Sequence, residues 1–295
     1  MKQFKPRNAI VIFGMHRCGT STVSGILSLL GFHLGKDLIP PLEENPKGFY
    51  ENILINQFND HLLESIGITW HTTGLLQDGW WTENAVLRSC DELKDILNDQ
   101  FSDEDRIVIK DPRLSILWPF YESIFSEMKI TPHFIISLRN PSEVAASLFK
   151  RNQFSAEKSI LIWMDYMLKA EYHSRNFSRH ILLFDDLISN PVIAIQNILA
   201  DFNFDYTMAP DVKNEVVNFV ENDLKHYNLP TILAQHQYIP EIFRLFQEIS
   251  KAKGRGMGTN INQILIDEIS SLFYDKLFFF NGTPRIRHQR GQVPD

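Results

Sequence analysis

Cysteine is scarce: Cys18 and Cys90 are the only two in 295 residues. That is too few for a disulfide framework and points to a reducing compartment. Long hydrophobic runs are missing as well. Nowhere does the chain approach the ~20 consecutive apolar residues of a membrane-crossing helix. Positive charge is in deficit, with 29 Lys+Arg against 36 Asp+Glu and a net charge of −7. General nucleic-acid binding is therefore not expected, and a polyanionic partner would need a local basic groove. Lys2, Lys5 and Arg7 are followed by no long apolar stretch before Gly14, so no signal peptide is expected and the chain reads as cytoplasmic. The sequons at Asn176 and Asn281 would matter only in a secreted protein. Repeats and low-complexity tracts are absent. What is present is ample core material, 44% hydrophobic residues, in a length that suits one large α/β domain or two small ones.

The stretch that organises the chain is Ile10-Val11-Ile12-Phe13-Gly14-Met15-His16-Arg17-Cys18-Gly19-Thr20-Ser21-Thr22. An apolar run ends in a glycine, and a second glycine follows five residues on. Val23, Ile26, Leu27 and Leu30 then take helical spacing, and Gly31 is placed to stop the helix. Strand, glycine loop and helix together wrap backbone N–H groups around a phosphate-type anion at a helix N-terminus. The loop is nearly a Walker A motif, but Thr20 stands where the lysine belongs. Without that lysine a triphosphate ligand is disfavoured. Arg17 is the nearest cation, so the loop suits a compact 5′ anion.

Further on, Gly35 to Asn52 is rich in proline, glycine and charge. It predicts a loop that could wall the site. It carries Glu43, Glu44 and Glu51, and Glu51 follows the anchoring pair Phe49-Tyr50. Residues 53 to 105 read as mostly helical, with Trp70, His71, Trp80 and Trp81 between segments; the tryptophans are expected to cover the core. A second strand, Arg106 to Ile109, ends in Lys110-Asp111-Pro112-Arg113. A third, His133 to Leu138, ends in Arg139-Asn140-Pro141-Ser142 and leads into a helix with Val144, Ala145 and Leu148 inward. Ser147 lies eight residues after Arg139. A fourth, Ile181 to Phe184, precedes Asp185 and Asp186, which suit a helix N-terminus. Polar clusters at the ends of parallel strands are where open α/β sheets bind ligands. Lys110 reads equally well as a functional cation and as half of an ion pair with Asp111, and Arg113 as the partner of Asp111.

The segment Gly14 to Thr22 resembles the 5′-phosphosulfate loop of sulfotransferases that use 3′-phosphoadenosine 5′-phosphosulfate (PAPS). Cys18 departs from that pattern, since a serine is usual there. Lys110-Asp111-Pro112 and the Arg139…Ser147 pair resemble further elements of the same family, and the likeness runs over roughly residues 10 to 205. The resemblance implies an α/β fold, a parallel sheet flanked by helices of the P-loop NTPase-like sulfotransferase kind. It extends as one domain over residues 1–284, helical from about 205, with a flexible tail at 285–295. It implies transfer of a sulfonate from PAPS to an acceptor hydroxyl, on a carbohydrate or glycolipid, leaving 3′,5′-ADP and needing no metal. The binding residues it implies are Arg17, Cys18, Gly19, Thr20, Ser21 and Thr22 at the 5′ end, with Arg139 and Ser147 at the 3′-phosphate. Lys110 or His16 would add positive charge to the leaving phosphate. Glu51 is the expected general base, with His33 and His71 as alternatives. The rival readings are a P-loop nucleotide kinase or phosphotransferase with a degenerate Walker A loop, and a nucleotide-regulated binding module without catalysis. Phe219 to His226 and Lys251 to Gly256 faintly resemble late elements of the family.

Overall fold

The computed structural model describes residues 6–42, 45, 47–102, 104–220, 239–253 and 261–281. Glu43, Glu44, residues 221–226 and 254–256, and the tail at 285–295 lie outside these residues.

Four strands form one sheet: β1 (Arg7–Phe13), β2 (Arg106–Lys110), β3 (Ile130–Leu138) and β4 (Ser178–Leu183). Their order is β2-β1-β3-β4 and every pairing is parallel. Each expected strand is present, some starting a few residues earlier. Parallel strands bury both faces, so they read as continuous apolar runs. The pleat then sorts alternate residues into two cores. Ala9, Val11 and Phe13 join Ile107, Ile109, Phe134 and Ile136 on one face. Ile10 and Ile12 join Val108, Ile135 and Leu182 on the other.

The helices divide between these faces. The second face is covered by α1 (Thr20–Leu29), α8 (Phe184–Ser189), α9 (Pro191–Asp201) and α10 (Pro210–Phe219). The first receives α2 (Ile53–Ser65), α3 (Asn84–Leu87), α4 (Cys90–Phe101), α5 (Leu114–Glu127), α6 (Pro141–Asn152), α7 (Ala156–Ser174), α11 (Ile239–Ser250) and α12 (Gln263–Asn281). Charged as it is, α4 buries Leu93, Leu97, Gln100 and Phe101. Trp163 and Tyr166 on α7 are fully buried, and Trp80 is nearly so. Asn140 caps α6, its side chain accepting from the Ser142 N–H at 3.0 Å, with Pro141 in the first turn.

From β1 the chain steps to β2 on one side, then returns past β1 to β3 on the other. The direction reverses between β1 and β3, which is where doubly wound sheets open a crevice beyond their strand ends. The loop after β1 starts there. Gly14 has φ +144, and a Cβ on it would lie 2.8 Å from the Ser137 carbonyl oxygen of β3. Backbone and backbone meet too closely for any side chain.

Gly14→Ala should therefore cost more than Gly67→Ala. Gly67 also has positive φ (+74) but meets nothing within 4 Å. Strain alone sets the Gly67 loss, about 1–2 kcal/mol. Urea unfolding midpoints compare the two, and equal losses would mean that the β1–β3 approach is not a tight constraint.

Candidate functional site

All four strands end at one edge of the sheet, so the segments following Phe13, Lys110, Leu138 and Leu183 gather there. The loop from Gly14 to Gly19 is pinned from two sides. The Gly14 N–H donates to the Ser115 hydroxyl of α5 at 3.1 Å, and the Ser137 hydroxyl donates to the Cys18 carbonyl at 2.7 Å. Arg17 sits at φ +71, a conformation uncommon outside glycine. Gly19, at φ +87, leaves no room for a Cβ against the Phe184 ring, which would be 2.4 Å away.

The helix N-terminus that results is open to an anion. No side chain caps α1. The N–H groups of Gly19, Thr20 and Ser21 have no partner among the described residues, and such donors attract anions. Thr22 departs from expectation, because its N–H is taken by the Gly19 carbonyl at 3.0 Å. The side chains of Cys18, Thr20 and Thr22 are buried, and Cys18 belongs to the core. Burial pushes the Cys18 thiol up to about 12. These three residues face the loop through their backbone, so cysteine in place of serine removes no donor from it.

Cations close in from neighbouring strands. Lys110, at the end of β2, donates to the Ser21 hydroxyl at 3.1 Å, the Phe49 carbonyl at 3.1 Å and Glu51 Oε1 at 2.5 Å. Those three bonds use every donor of an ammonium. Both side chains of the Lys110–Glu51 pair are buried. The other Glu51 oxygen, Oε2, accepts from Asn56 at 2.6 Å. Glu51 was expected as a lone carboxylate poised to take a proton. It is instead half of a buried ion pair with both oxygens engaged. The pair Lys110–Asp111 does not form. Asp111 bonds to Arg113 at 2.8 Å and accepts from Asn59 at 3.1 Å, while Arg113 also reaches Asp60 at 2.8 Å. Arg113 is structural, as its sequence context suggests.

Arg139 and Ser147 both lie beside the loop, but they are not partners. The Ser147 hydroxyl accepts from Arg17 Nε at 2.7 Å. Arg139 bonds to Glu143 at 2.8 Å and to the Arg17 carbonyl at 3.2 Å, with its guanidinium 4.2 Å from the centre of the Phe184 ring. Arg17, Arg139 and Ser147 thus form one cluster in which Arg17 is the link.

The histidines separate cleanly. His33 lies beside the start of β2, where its Nε2 is 3.6 Å from Glu104, far along the strand from Lys110. It is partly exposed. His71 is half-buried against Trp70 and Phe154, and burial lowers its pKa, with Lys158 adding to the effect. His16 lies in the loop itself, its ring 4.5 Å from that of Trp70. Burial, aided by Arg151, Arg113, Lys110 and Arg17, holds its pKa well below the ordinary 6.5. His16 is therefore neutral at physiological pH and does not supply the positive charge expected of it. Among the described residues, no group of three or more His, Cys, Asp or Glu side chains is gathered to hold a metal ion, and no helix is long and apolar enough to cross a membrane.

No protein-family model matches the chain, and no curated protein does. The solved structures it is similar to include two sulfotransferase domains and a sulfotransferase. One is from the Synechococcus PCC 7002 olefin synthase, at 14% identity over 93% of this chain and 99% of that one, with a TM-score of 0.46. Another is from the curacin biosynthetic pathway, at 15% identity over 92% and 98%, with a TM-score of 0.43. A third, a sulfotransferase from Alicyclobacillus acidocaldarius, gives 16% identity over 74% and 92%, with a TM-score of 0.39. These scores are low, and the α/β architecture is established by the chain's own strand order and register.

The Lys110–Glu51 pair makes a direct stability prediction. Lys110→Met leaves a buried carboxylate without its counter-charge and should destabilise by about 3–5 kcal/mol. Adding Glu51→Gln to that variant should recover much of the loss. Chemical denaturation of the two single variants and the double variant measures the coupling, and additive losses would show that the two charges do not sense each other.

Proposed function

We propose that the chain transfers a sulfonate group from PAPS to an acceptor hydroxyl, with a glycan or glycolipid as the first choice of acceptor. The observation that carries this reading is an anion loop whose missing lysine is replaced from outside, by Lys110 of β2 standing on Ser21 at the start of α1. That arrangement fits a 5′-phosphosulfate, which needs less counter-charge than a triphosphate chain.

In this reading the N–H groups of Gly19, Thr20 and Ser21 receive the 5′ end. Lys110 exchanges its bond to the Ser21 hydroxyl for one to the bridging oxygen, its bonds to Glu51 and the Phe49 carbonyl keeping the ammonium in place. Glu51 then acts as the anchor of Lys110. A fixed cation at the oxygen that gains charge as the S–O bond breaks favours the transition state over the ground state. Arg17, Arg139 and Ser147, clustered on the β3 side of the loop, suit the 3′-phosphate. Arginine matches phosphate oxygens with a planar fork and serine adds a hydroxyl donor.

The placement of Lys110 also favours a second reading. A lysine beside a helix N-terminus can serve a triphosphate, as in a phosphotransferase with a degenerate Walker A loop. Thermal unfolding separates the two. A ligand that binds only the folded state stabilises it by about 2.7 kcal/mol at a hundredfold excess over Kd. 3′,5′-ADP without Mg²⁺ should raise Tm by several degrees and exceed ATP–Mg²⁺, whereas the opposite order would favour phosphotransfer. Arg139→Ala should weaken 3′,5′-ADP by roughly 1.5–3 kcal/mol, as for a charge-assisted hydrogen bond, and leave 5′-AMP nearly unchanged. Equal losses for both in calorimetry would make Arg139 a support of the loop only.

A further inference from the structure

Next to the donor loop, the corner between α6 and α7 meets the chain that joins α2 to α3. Rings and cations gather there that the donor reading leaves unassigned. Ser147, which accepts from Arg17, and Arg151 are four residues apart on α6, one turn along the same face. The Arg151 guanidinium is 5.5 Å from the centre of the Trp70 ring, and that ring is 4.5 Å from the ring of His16 in the loop. Trp70 stacks on Phe154 at 5.7 Å, and Lys158 Nζ stands 3.7 Å from the centre of the Phe154 ring. His71 adds its edge, 5.2 Å from Trp70 and 5.5 Å from Phe154. Trp70, His71, Arg151, Phe154 and Lys158 are all partly exposed, so a solute can reach them.

This wall is firmly built. Residues 66–79 hold no helix or strand, yet α7 grips them at two points. The Tyr166 hydroxyl donates to the Trp70 carbonyl at 2.7 Å. The buried Asp165 carboxylate accepts from the Gly74 N–H at 3.4 Å and pairs with Lys169, which donates to the Gly74 carbonyl at 2.9 Å. Tyr274 of α12 donates to the same carboxylate at 2.9 Å. The ring faces, however, are taken. Trp70 has His16, Phe154 and Arg151 against it, and Phe154 has Lys158, so a sugar ring finds no clear face to stack on. The rings act instead as mounts, because a cation over an aromatic face is held there electrostatically. Arg151 Nε also donates to Asn152 Oδ1 at 2.6 Å. Lys158 has no carboxylate partner among the described residues, and its sequence neighbour Glu157 is exposed. It stands in the first turn of α7, where the helix dipole disfavours a cation. Helix stability does not account for a lysine there.

We infer that Arg151 and Lys158 bind an anionic group, a carboxylate or a phosphate, on the acceptor, so that the hydroxyl to be sulfated belongs to a negatively charged molecule. The inference rests on the sulfonate-transfer reading above and narrows its acceptor. Arg151 and Lys110 both lie close enough to His16 to oppose its protonation. A charge held by Arg151 therefore keeps the rest of the acceptor near the oxygen that Lys110 attends, and fixing one end of a reactant helps to orient the other. An anionic acceptor is repelled by an anionic donor and by a chain of net charge −7, unless cations face it. A neutral acceptor has no use for two cations mounted on rings beside the donor loop.

The test uses the full chain, labelled PAPS and three acceptors on one scaffold: methyl β-glucoside, methyl β-glucuronide and methyl β-glucoside 6-phosphate. The wild type should favour a charged acceptor over the neutral one by about 10–100-fold in kcat/KM, and which charged one leads distinguishes carboxylate from phosphate. The preference should shrink as salt rises, since partly exposed charges are screened. Lys158→Met and Arg151→Met should each reduce it by about 10-fold, through KM more than kcat, while Lys158→Arg retains it. Both Met variants should bind 3′,5′-ADP as the wild type does. Ligand-observed NMR on the chain saturated with 3′,5′-ADP should rank the three acceptors in the same order, which reads the subsite even where turnover is slow. No binding or equal binding of the three, a preference indifferent to salt, or losses shared by charged and neutral acceptors would each overturn the assignment. Weaker 3′,5′-ADP binding in both Met variants would also overturn it, by moving the two cations to the donor. If 3′,5′-ADP binds and the charge preference is absent, only the acceptor assignment falls. If the wild type neither binds 3′,5′-ADP nor transfers sulfonate, the parent reading falls with it.

Discussion

The Ser137 hydroxyl on the Cys18 carbonyl, 2.7 Å across from β3 to the loop after β1, is the contact on which the rest of the site depends. It works with the Ser115 hydroxyl on the Gly14 N–H. Together they fix the course of the loop, and the N–H groups of Gly19, Thr20 and Ser21 have no partners among the described residues. Gly14 makes the approach geometrically feasible, since any Cβ there would strike β3. The shape of the loop is therefore a consequence of sheet order. Only a chain that places β3 beside β1 brings Ser137 into reach.

Charge follows the same logic. The chain is acidic overall, with a net charge of −7, yet Arg17, Lys110, Arg113, Arg139 and Arg151 converge around one loop. Most of these cations are restrained by specific partners: Lys110 by Glu51, Arg113 by Asp60 and Asp111, Arg139 by Glu143. Pairing keeps each guanidinium or ammonium in one position without reorganisation when an anion arrives, which is the condition for electrostatic stabilisation to be effective. Burial, with these cations around it, keeps the His16 pKa well below its ordinary value.

A good part of this was legible in the chain itself. The apolar runs at β1, β2, β3 and β4 and the glycines at 14 and 19 are local signals, and the elements they imply are present. The same holds for Asn140-Pro141 as the start of α6. Pairings across the fold were less legible. In sequence Lys110 offered Asp111 as its partner and Arg139 offered Ser147, whereas the fold pairs them with Glu51 and Glu143, because spacing along a strand or helix says nothing about which side chain arrives from another element. His16 gave no sign of neutrality, since desolvation is a property of the neighbours that close over it. Trp70 is the one signal that pointed that way, an aromatic residue between helical segments, and it became informative only with Phe154 and Tyr166 around it.

By itself, then, the amino-acid order determined the periodicities: short apolar runs for the four strands, helical spacing after them, and a glycine loop joining the first strand to the first helix. Those depend on backbone sterics and on the hydrophobicity of residues a few positions apart. Tertiary structure alone decided the partners of charge, the Lys110–Glu51 pair, the Arg17–Ser147 bond and the sealing of His16. Each of these joins groups that sequence separates by 54 to 130 residues, and their energies depend on burial and distance, which exist only once the sheet has closed its order.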